Sequence, residues 1–112
     1  MATFESLLDV EEEVNRQLDL WGVQSHPFGT DPMWLELADL AKAKCAEKVK
    51  AGTLTWKDIL IEEVLEAFGE TSIEELRTEL VQTAAVCTSW INDIDRTLEL
   101  NAVQEEDLSM SL

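Results

Sequence analysis

Several acidic residues in the middle of the chain stand at spacings that could build a binding site. Glu62, Glu63 and Glu66 lie within five residues. Glu79 and Gln82 follow beyond a turn-forming stretch. Side chains three or four positions apart share a helix face, so each group would project together, and a helical hairpin would let four or five oxygen-bearing side chains converge. Because hard cations such as Mg²⁺ bind oxygen ligands, including phosphate oxygens and water, the pattern predicts metal-assisted phosphate chemistry.

The same glutamates could instead form an acidic helix face that is exposed to water. Such faces usually interleave lysines at i,i+4 spacing, but no basic residue occurs between Asp58 and Arg77. Like charges at this spacing cost roughly a few tenths of a kcal/mol per pair, and a bound cation would remove that cost. Glu79 also has two interpretations. It is either a solvent-exposed residue in an early turn of its helix, or a carboxylate on a largely buried helix that needs a partner.

The overall charge limits the expected partners. The 112-residue chain has 24 acidic and 8 basic residues, a formal net charge of −16. Binding to DNA or RNA depends on cations that meet phosphates, so a nucleic-acid polymer is not an expected partner. A membrane is not expected either, because anionic leaflets attract basic segments and the sequence has no apolar run of about 18 residues.

Cysteine and histidine usage argues against several other classes of site. Cys45 and Cys87 have no CxxC spacing, and both fall in predicted helices. They are expected to be reduced core thiols of a cytoplasmic protein. His26 is the only histidine, and no reactive serine or cysteine constellation accompanies it, which argues against triad chemistry.

Helix-start and helix-stop signals predict an all-α fold of four helices, and no segment alternates with the period of a strand. The start signals are Asp31-Pro32 and the capping boxes that begin at Thr55 and Ser72. The stop signals are Gly22, Gly52 and Gly69. The predicted helices cover residues 4–21, 32–51, 56–68 and 73–97. Residues 1–98 are therefore expected to form one domain. Residues 99–112, with four acids and no bases, are expected to form a flexible tail.

Two apolar patterns predict where the core lies. Leu7, Val10, Val14 and Leu18 recur every three or four residues along the first helix, so they are expected to face the core. The segment Leu80–Ile91 of the fourth helix contains no charged residue. This absence predicts a helix that is buried on most of its circumference.

The acidic segments resemble the MazG-like, all-α nucleoside triphosphate pyrophosphohydrolases. The likeness is carried by the run IEEVLEAFGETSIEELRTELVQTAAVCTSWI, and the pieces RQLDLWGVQSHPFGT and LTWKDILIEEVLEAF resemble small members common among phages. The family pattern is E-E-x-x-E on one helix and E-x-x-D on the next. Glu62, Glu63 and Glu66 match the first half, and Glu79 matches the start of the second. The resemblance covers most of residues 11–97.

The chain departs from the family pattern at one position. Gln82 stands where the family has its last acid, and a glutamine offers a carbonyl oxygen without charge. The departure implies fewer or weaker metal sites, or a ligand recruited from elsewhere in the chain. Asp93 is a poor replacement, because it lies about 21 Å from Glu79 along a helix axis.

The resemblance implies a fold and an activity. The expected fold is a four-helix bundle-like MazG fold that assembles as a homodimer or homotetramer. The expected reaction is hydrolysis of a (deoxy)nucleoside triphosphate to the monophosphate and pyrophosphate, with dGTP- or dATP-type purines as candidate substrates. The cofactor is Mg²⁺ or Mn²⁺, which would clamp the phosphate oxygens and activate a water. The implied metal ligands are Glu63, Glu66, Glu79 and Gln82.

The resemblance also implies roles for individual residues. Glu62 and Glu63 are the candidate catalytic residues, and Glu62 would orient or deprotonate the water that attacks the α-phosphorus. Base recognition is expected from the first helix and the loop after it, and its candidates are Trp21, His26, Arg16 and Gln17. A phage-encoded member would act in the host cytoplasm.

A second interpretation is a non-enzymatic helical module whose acidic surface binds a basic protein or mimics nucleic acid. Gln82 is compatible with this interpretation, since the metal site of the family has an acidic residue at that position and Gln82 carries no charge. The two functions differ in their dependence on the glutamates. An enzyme requires a divalent metal and loses activity when Glu63 or Glu66 becomes Gln, whereas a binding module keeps its partner and weakens with salt.

Overall fold

A computed structural model describes residues 2–110, and this part of the chain is all-α, with no β-strand, as the sequence predicts. Its elements are α1 (Ala2–Trp21), a 3₁₀ turn (Pro32–Trp34), α2 (Leu35–Ala51), α3 (Trp56–Gly69) and α4 (Ile73–Met110). The side chains of residues 2–4 are not described. Among the described helices, none has a segment both long enough and apolar enough to traverse a lipid bilayer.

The chain divides into two compact units. One unit combines Met1–Gln24 with Thr88–Leu112, and the other is Ser25–Cys87. α1 and the later part of α4 therefore belong to the first unit. α2, α3 and the first turns of α4 belong to the second, which also contains every residue of the predicted metal site.

Local signals in the sequence begin and end the helices as predicted. Gly22 and Gly52 follow α1 and α2 with φ of 69° and 72°, a region that residues with a Cβ rarely adopt. Asp31 caps the 3₁₀ turn, because its side chain accepts a 2.9 Å hydrogen bond from the Met33 amide. Thr55 opens α3 with a complete capping box, so the start of the helix that carries the glutamates is fixed by hydrogen bonds.

A charged pair joins the start of α3 to the end of α2. Lys48 Nζ donates to both carboxylate oxygens of Asp58 at 2.8 and 2.9 Å. Asp58 is buried and also accepts a 2.7 Å hydrogen bond from the Thr55 hydroxyl. These hydrogen bonds, above all those from Lys48, lower the pKa of Asp58 to about 2. The carboxylate stays ionised and ties the two helices together over the neutral pH range.

The other end of α3 is held against the start of α2. The Phe68 carbonyl accepts a 2.9 Å hydrogen bond from the Asp31 amide, and the Phe68 ring packs edge-on against Trp34. Gly69 is buried, and a Cβ placed there would come within 2.5 Å of Leu35 Cδ2. The glycine therefore permits close packing here, in addition to ending the helix as the sequence predicts.

A buried polar contact links the two helices of the first unit. The Ser6 hydroxyl of α1 donates a hydrogen bond to the Asn92 side-chain oxygen of α4, and both residues are buried. Thr88, one turn before Asn92, is buried as well. Because polar groups are costly to bury without partners, this contact favours one register of α1 on α4 over its alternatives.

The two apolar patterns do not form the core that the sequence predicts. Leu7, Val10, Val14 and Leu18 are each 43–52% exposed, so the prediction that they face the core is wrong. α4 is exposed at most positions between 80 and 89, with Leu80 and Val81 more than half exposed. Cys45 is buried as expected, but Cys87 is exposed. Apolar periodicity identifies a face that favours burial without identifying what covers it.

α4 is longer than predicted. It continues through residues 99–110, where a tail was expected, and residues 111–112 of that tail lie outside the described residues. The segment LELNAVQEEDLSM contains no Gly or Pro and consists largely of good helix formers. Its composition therefore lets the helix propagate from the preceding turns.

Replacement of Thr55 with Ala should lower the free energy of unfolding by about 1 kcal/mol, the usual cost of losing an N-cap side chain. Thr55→Ala removes both the cap of α3 and a hydrogen-bond donor to Asp58. Chemical denaturation monitored by circular dichroism would measure the difference. Thr53→Ala is the matched control, since Thr53 lies two residues earlier in the same loop and its backbone amide makes the contact with Lys48. Equal losses in both variants would contradict the cap's role.

Candidate metal centre

Three glutamates from two helices converge in the second unit. Glu63 and Glu66 come from α3, and Glu79 comes from the second turn of α4. Each offers one carboxylate oxygen, and these oxygens all lie within 4.8 Å of one another. Because the turn between the helices is only three residues long, α4 returns beside α3 and brings Glu79 to the pair that the helical spacing had already placed together.

The cluster is sheltered from water. Glu63, Glu66 and Glu79 are all half-buried. Glu63 Oε2 and Glu79 Oε2 are fully shielded and have no hydrogen-bond partner. Burying a carboxylate oxygen without a hydrogen-bond donor is energetically unfavourable. A nearby positive charge or hydrogen-bond donor would stabilise these two oxygens.

The shelter changes the proton affinity of the cluster. Burial, the negative charges of Glu63, Glu79 and Glu62, and a side-chain hydrogen bond with Glu79 raise the pKa of Glu66 to about 7. Burial, followed by the charges of Glu79 and Glu62, also raises the pKa of Glu63. Near neutral pH, Glu66 is therefore about half-protonated.

The donor set fits a hard divalent cation. Oxygens that share a Mg²⁺ or Ca²⁺ ion lie about 2.0–2.6 Å from it, a coordination that oxygens within 4.8 Å of one another can reach with small side-chain rotations. The two shielded oxygens without partners would gain a counter-charge. The cluster contains no nitrogen or sulfur donor, so Mg²⁺, Mn²⁺ or Ca²⁺ suits it better than Zn²⁺.

Two other residues predicted for this site lie in different environments. Glu62 is half-buried and close enough to the cluster for its charge to raise the pKa of Glu63 and Glu66. Gln82 follows Glu79 by three residues on α4 and is exposed. Glu62 therefore shares the electrostatic environment of the cluster, while Gln82 faces solvent in the single chain.

The predicted substrate-binding residues are all exposed, and they fall in both units. Trp21 ends α1 with 63% of its surface accessible. Arg16 and Gln17 both donate to Glu13, at distances of 2.8–2.9 Å, and these hydrogen bonds lower the pKa of Glu13 to about 2. His26 belongs to the second unit. The groups that would recognise a base are therefore accessible, and Arg16 and Gln17 are held in place by an acidic neighbour.

The acidic surface extends beyond the residues that the motif identifies. A side-chain hydrogen bond with Glu75, followed by burial and by the charges of Glu75 and Glu79, raises the pKa of Glu70. Two carboxyl groups can share a hydrogen bond only when one of them holds a proton. Glu75 precedes Glu79 by four residues, so the i,i+4 rule could have placed it on the same face.

Comparison with known proteins adds no relative to this geometry. No protein-family model, no curated protein and no solved structure matches the chain. Its likeness to the MazG-like enzymes therefore remains a resemblance in residue pattern, and any function has to be argued from the geometry and chemistry of the cluster.

The raised pKa of Glu66 should make the metal-free protein less stable as the pH rises. The folded protein holds this proton more tightly than the unfolded chain, so the Glu66 contribution to stability is complete below about pH 4.5 and is lost as the pH rises through about 7. Glu66→Gln removes the ionisation. The wild-type melting temperature should fall more than that of Glu66→Gln between pH 5 and pH 8.

The same experiment with metal tests what the cluster binds. Mg²⁺ should raise the melting temperature of the wild type at pH 8 more than at pH 5, because protons compete for the carboxylates. Glu66→Gln should respond weakly to Mg²⁺ at both pH values. Glu47→Gln, at an exposed position of α2, makes the same change in charge and should behave like the wild type. Parallel pH curves for all three proteins would contradict the proposed perturbation at Glu66.

Proposed function

We propose that this protein is a metal-dependent pyrophosphohydrolase, which cleaves a (deoxy)nucleoside triphosphate to the monophosphate and pyrophosphate. The observation that carries the proposal is the convergence of Glu63, Glu66 and Glu79, two of which have shielded oxygens without partners. Stability alone gives no reason to pack like charges in this way, since they repel and lose hydration. A functional site that recruits a cation provides one.

Charge supports a cation as the link between this site and a phosphorylated substrate. The chain has a net charge of −16, and no basic residue lies in the sequence between Asp58 and Arg77, which spans most of the cluster. A triphosphate would be repelled by the bare carboxylates. A divalent ion held by Glu63, Glu66 and Glu79 would offset most of the local negative charge and accept phosphate oxygens as further ligands.

The positions of the residues support the following roles. When bound, the cation would supply charge neutralisation at the phosphates and would activate water. Glu62 is half-buried beside the cluster, and we assign it the role of orienting the attacking water or accepting its proton. The water oxygen bonds to the α-phosphorus, and the bond from that phosphorus to the bridging oxygen breaks, so that pyrophosphate leaves.

Base selection is assigned to exposed side chains outside the cluster. Trp21 offers an indole face for stacking, and Arg16, Gln17 and His26 offer hydrogen-bonding groups. Purine deoxynucleotides such as dGTP and dATP are the first substrates to compare, because a larger ring system gains more from stacking on an aromatic side chain.

A second candidate function is an acidic module that binds a basic protein. The specific observation in its favour is the net charge of −16, which would attract a basic partner over long distances at low salt. Under this alternative, the total negative charge of the protein attracts the partner, and no single glutamate is essential. Neutralising any one exposed glutamate should then matter about as much as neutralising one in the cluster.

Pyrophosphate release from the eight common NTPs and dNTPs tests the proposed activity. Release should require Mg²⁺ or Mn²⁺, stop with EDTA, and yield the monophosphate in equal amount. Glu63→Gln and Glu79→Gln should each reduce kcat/KM about 100-fold or more, because losing one ligand removes several kcal/mol of charge stabilisation. The rank order of substrates would give the base and sugar preference.

Glu47→Gln serves as the matched control, since it removes one charge from an exposed position of α2. It should retain wild-type activity, and circular dichroism should show the same helicity for all variants. If a folded protein binds Mn²⁺ but releases no pyrophosphate from any triphosphate, the proposed hydrolase activity is contradicted. Equal losses in Glu47→Gln and Glu63→Gln would favour the charge-driven module.

A further inference from the structure

The exposed side of α3 differs in character from the rest of this acidic chain. The four acidic residues of the helix are all buried or half-buried. Its exposed residues are Lys57, Ile61 and Phe68, of which the last two are 44% and 45% exposed. Together with the half-buried Val64 they step by four, three and four positions, so they form one strip of the helix. A surface helix normally presents polar side chains to water, and this strip instead has the composition of an interface.

A matching strip lies on α2. Leu37, Ala41, Lys44 and Lys48 repeat the same spacing of four, three and four positions. Leu37 is 46% exposed, and Leu40, beside the strip, is 67% exposed. The three acidic residues of α2 lie on average about 120° around the helix from this strip. The strip is therefore apolar at one end, basic at the other, and free of acids.

Contacts within the second unit place the two strips side by side. Ala41 and Lys44 of α2 line a cavity of about 60 Å³ together with Ile61 of α3. At one end of the helix pair, the Phe68 ring packs against Trp34, just before α2 begins. At the other end, the two helices are joined by the ion pair already described. The helices run antiparallel, so the strips border one shallow groove that is apolar toward Phe68 and basic toward Lys44.

The basic end of this groove is more than a structural ion pair. Lys48 is bound to Asp58, but Lys44 and Lys57 form no ion pair within the described residues 2–110. Lys57 lies in the first turn of α3, where the helix dipole disfavours a positive charge. Helix stability therefore does not account for it, and the two lysines are available to an anionic group.

An acidic amphipathic helix is the occupant whose chemistry fits the groove. Phe68 and Lys57 are about 16 Å apart along the axis of α3, which equals about three turns of a partner helix. Apolar side chains at helical spacing would cover the apolar end, and carboxylates would meet the lysines. The net charge of −16 opposes this partner less at close range, because charges are screened over about 8 Å at physiological ionic strength. A partner in the groove therefore interacts chiefly with the nearby lysines.

We propose that the groove between α2 and α3 binds an amphipathic α-helix of a partner protein. The apolar face of the partner contacts Leu37, Ile61 and Phe68, and its carboxylates contact Lys44 and Lys57. Glu63 and Glu66 project about 160° around α3 from the exposed strip. Binding therefore leaves the acidic cluster accessible, and the groove has this role whether or not the protein hydrolyses nucleotides.

Two synthetic helical peptides test the chemistry of the groove. Each has about 15 residues, with leucines at i, i+4 and i+7 on one face, and they differ only in carrying several glutamates or the same number of lysines. Fluorescence polarisation at physiological ionic strength measures their binding. The glutamate peptide should bind at least about tenfold more tightly than the lysine peptide, although the net charge of −16 favours the reverse order.

Substitutions in the exposed strip of α3 locate the binding site. Ile61→Glu and Lys57→Glu should each weaken binding of the glutamate peptide about tenfold or more, because they place a negative charge against it. Lys42→Glu is the matched control. It makes the same change in charge at an exposed position of α2, about 130° around the helix from the groove, and it should bind like the wild type. Circular dichroism should show the same helicity for all variants.

Several outcomes would overturn the proposal. They are equal binding of the two peptides, tighter binding of the lysine peptide, no binding of the glutamate peptide, and equal losses in Lys57→Glu and Lys42→Glu. A mass in solution above 12.6 kDa that falls to the mass of one chain in Ile61→Glu would assign the groove to a second copy instead. Binding to phosphatidylserine vesicles that is lost in the same variant would assign it to a lipid surface.

Discussion

The repulsion among Glu63, Glu66 and Glu79 is the constraint on which the second unit depends. Each of these carboxylates is half-buried, and bringing their oxygens within 4.8 Å of one another raises the cost of ionising any of them. The fold must supply enough packing elsewhere to hold them in place. The same unfavourable electrostatics raise the affinity of the cluster for a proton, since its negative charge is poorly solvated.

The packing that offsets this repulsion lies at the two ends of α3. At its start, the buried carboxylate of Asp58 binds Lys48 and Thr55 and fixes the first turn. At its end, Gly69 allows Leu35 to approach closely. A helix anchored at both ends presents its middle turn, which carries the glutamates, in one orientation. The electrostatic site is thus supported by contacts that contribute no ligand.

The distribution of charge also separates the two kinds of surface on α4. Its early turns present Glu79 to α3, while the uncharged side chains of Leu80, Ile94 and Leu98 are each about half exposed. Acidic and apolar side chains therefore occupy different faces of this helix.

The sequence by itself determined the all-α class, the helix ends at Gly22, Gly52 and Thr55, and the pairing of Glu63 with Glu66, because these depend on neighbours within a few residues. Only the tertiary structure decided that Glu79 joins that pair and that the apolar stripes of α1 and α4 are exposed in the single chain. Burial depends on residues far apart in sequence. The periodicity of apolar residues shows which face of a helix favours burial, but it does not show which part of the protein covers that face. α4 also continues to Met110, although the acidic residues of this segment had led us to expect a tail, since propagation from an existing helix costs less than nucleation.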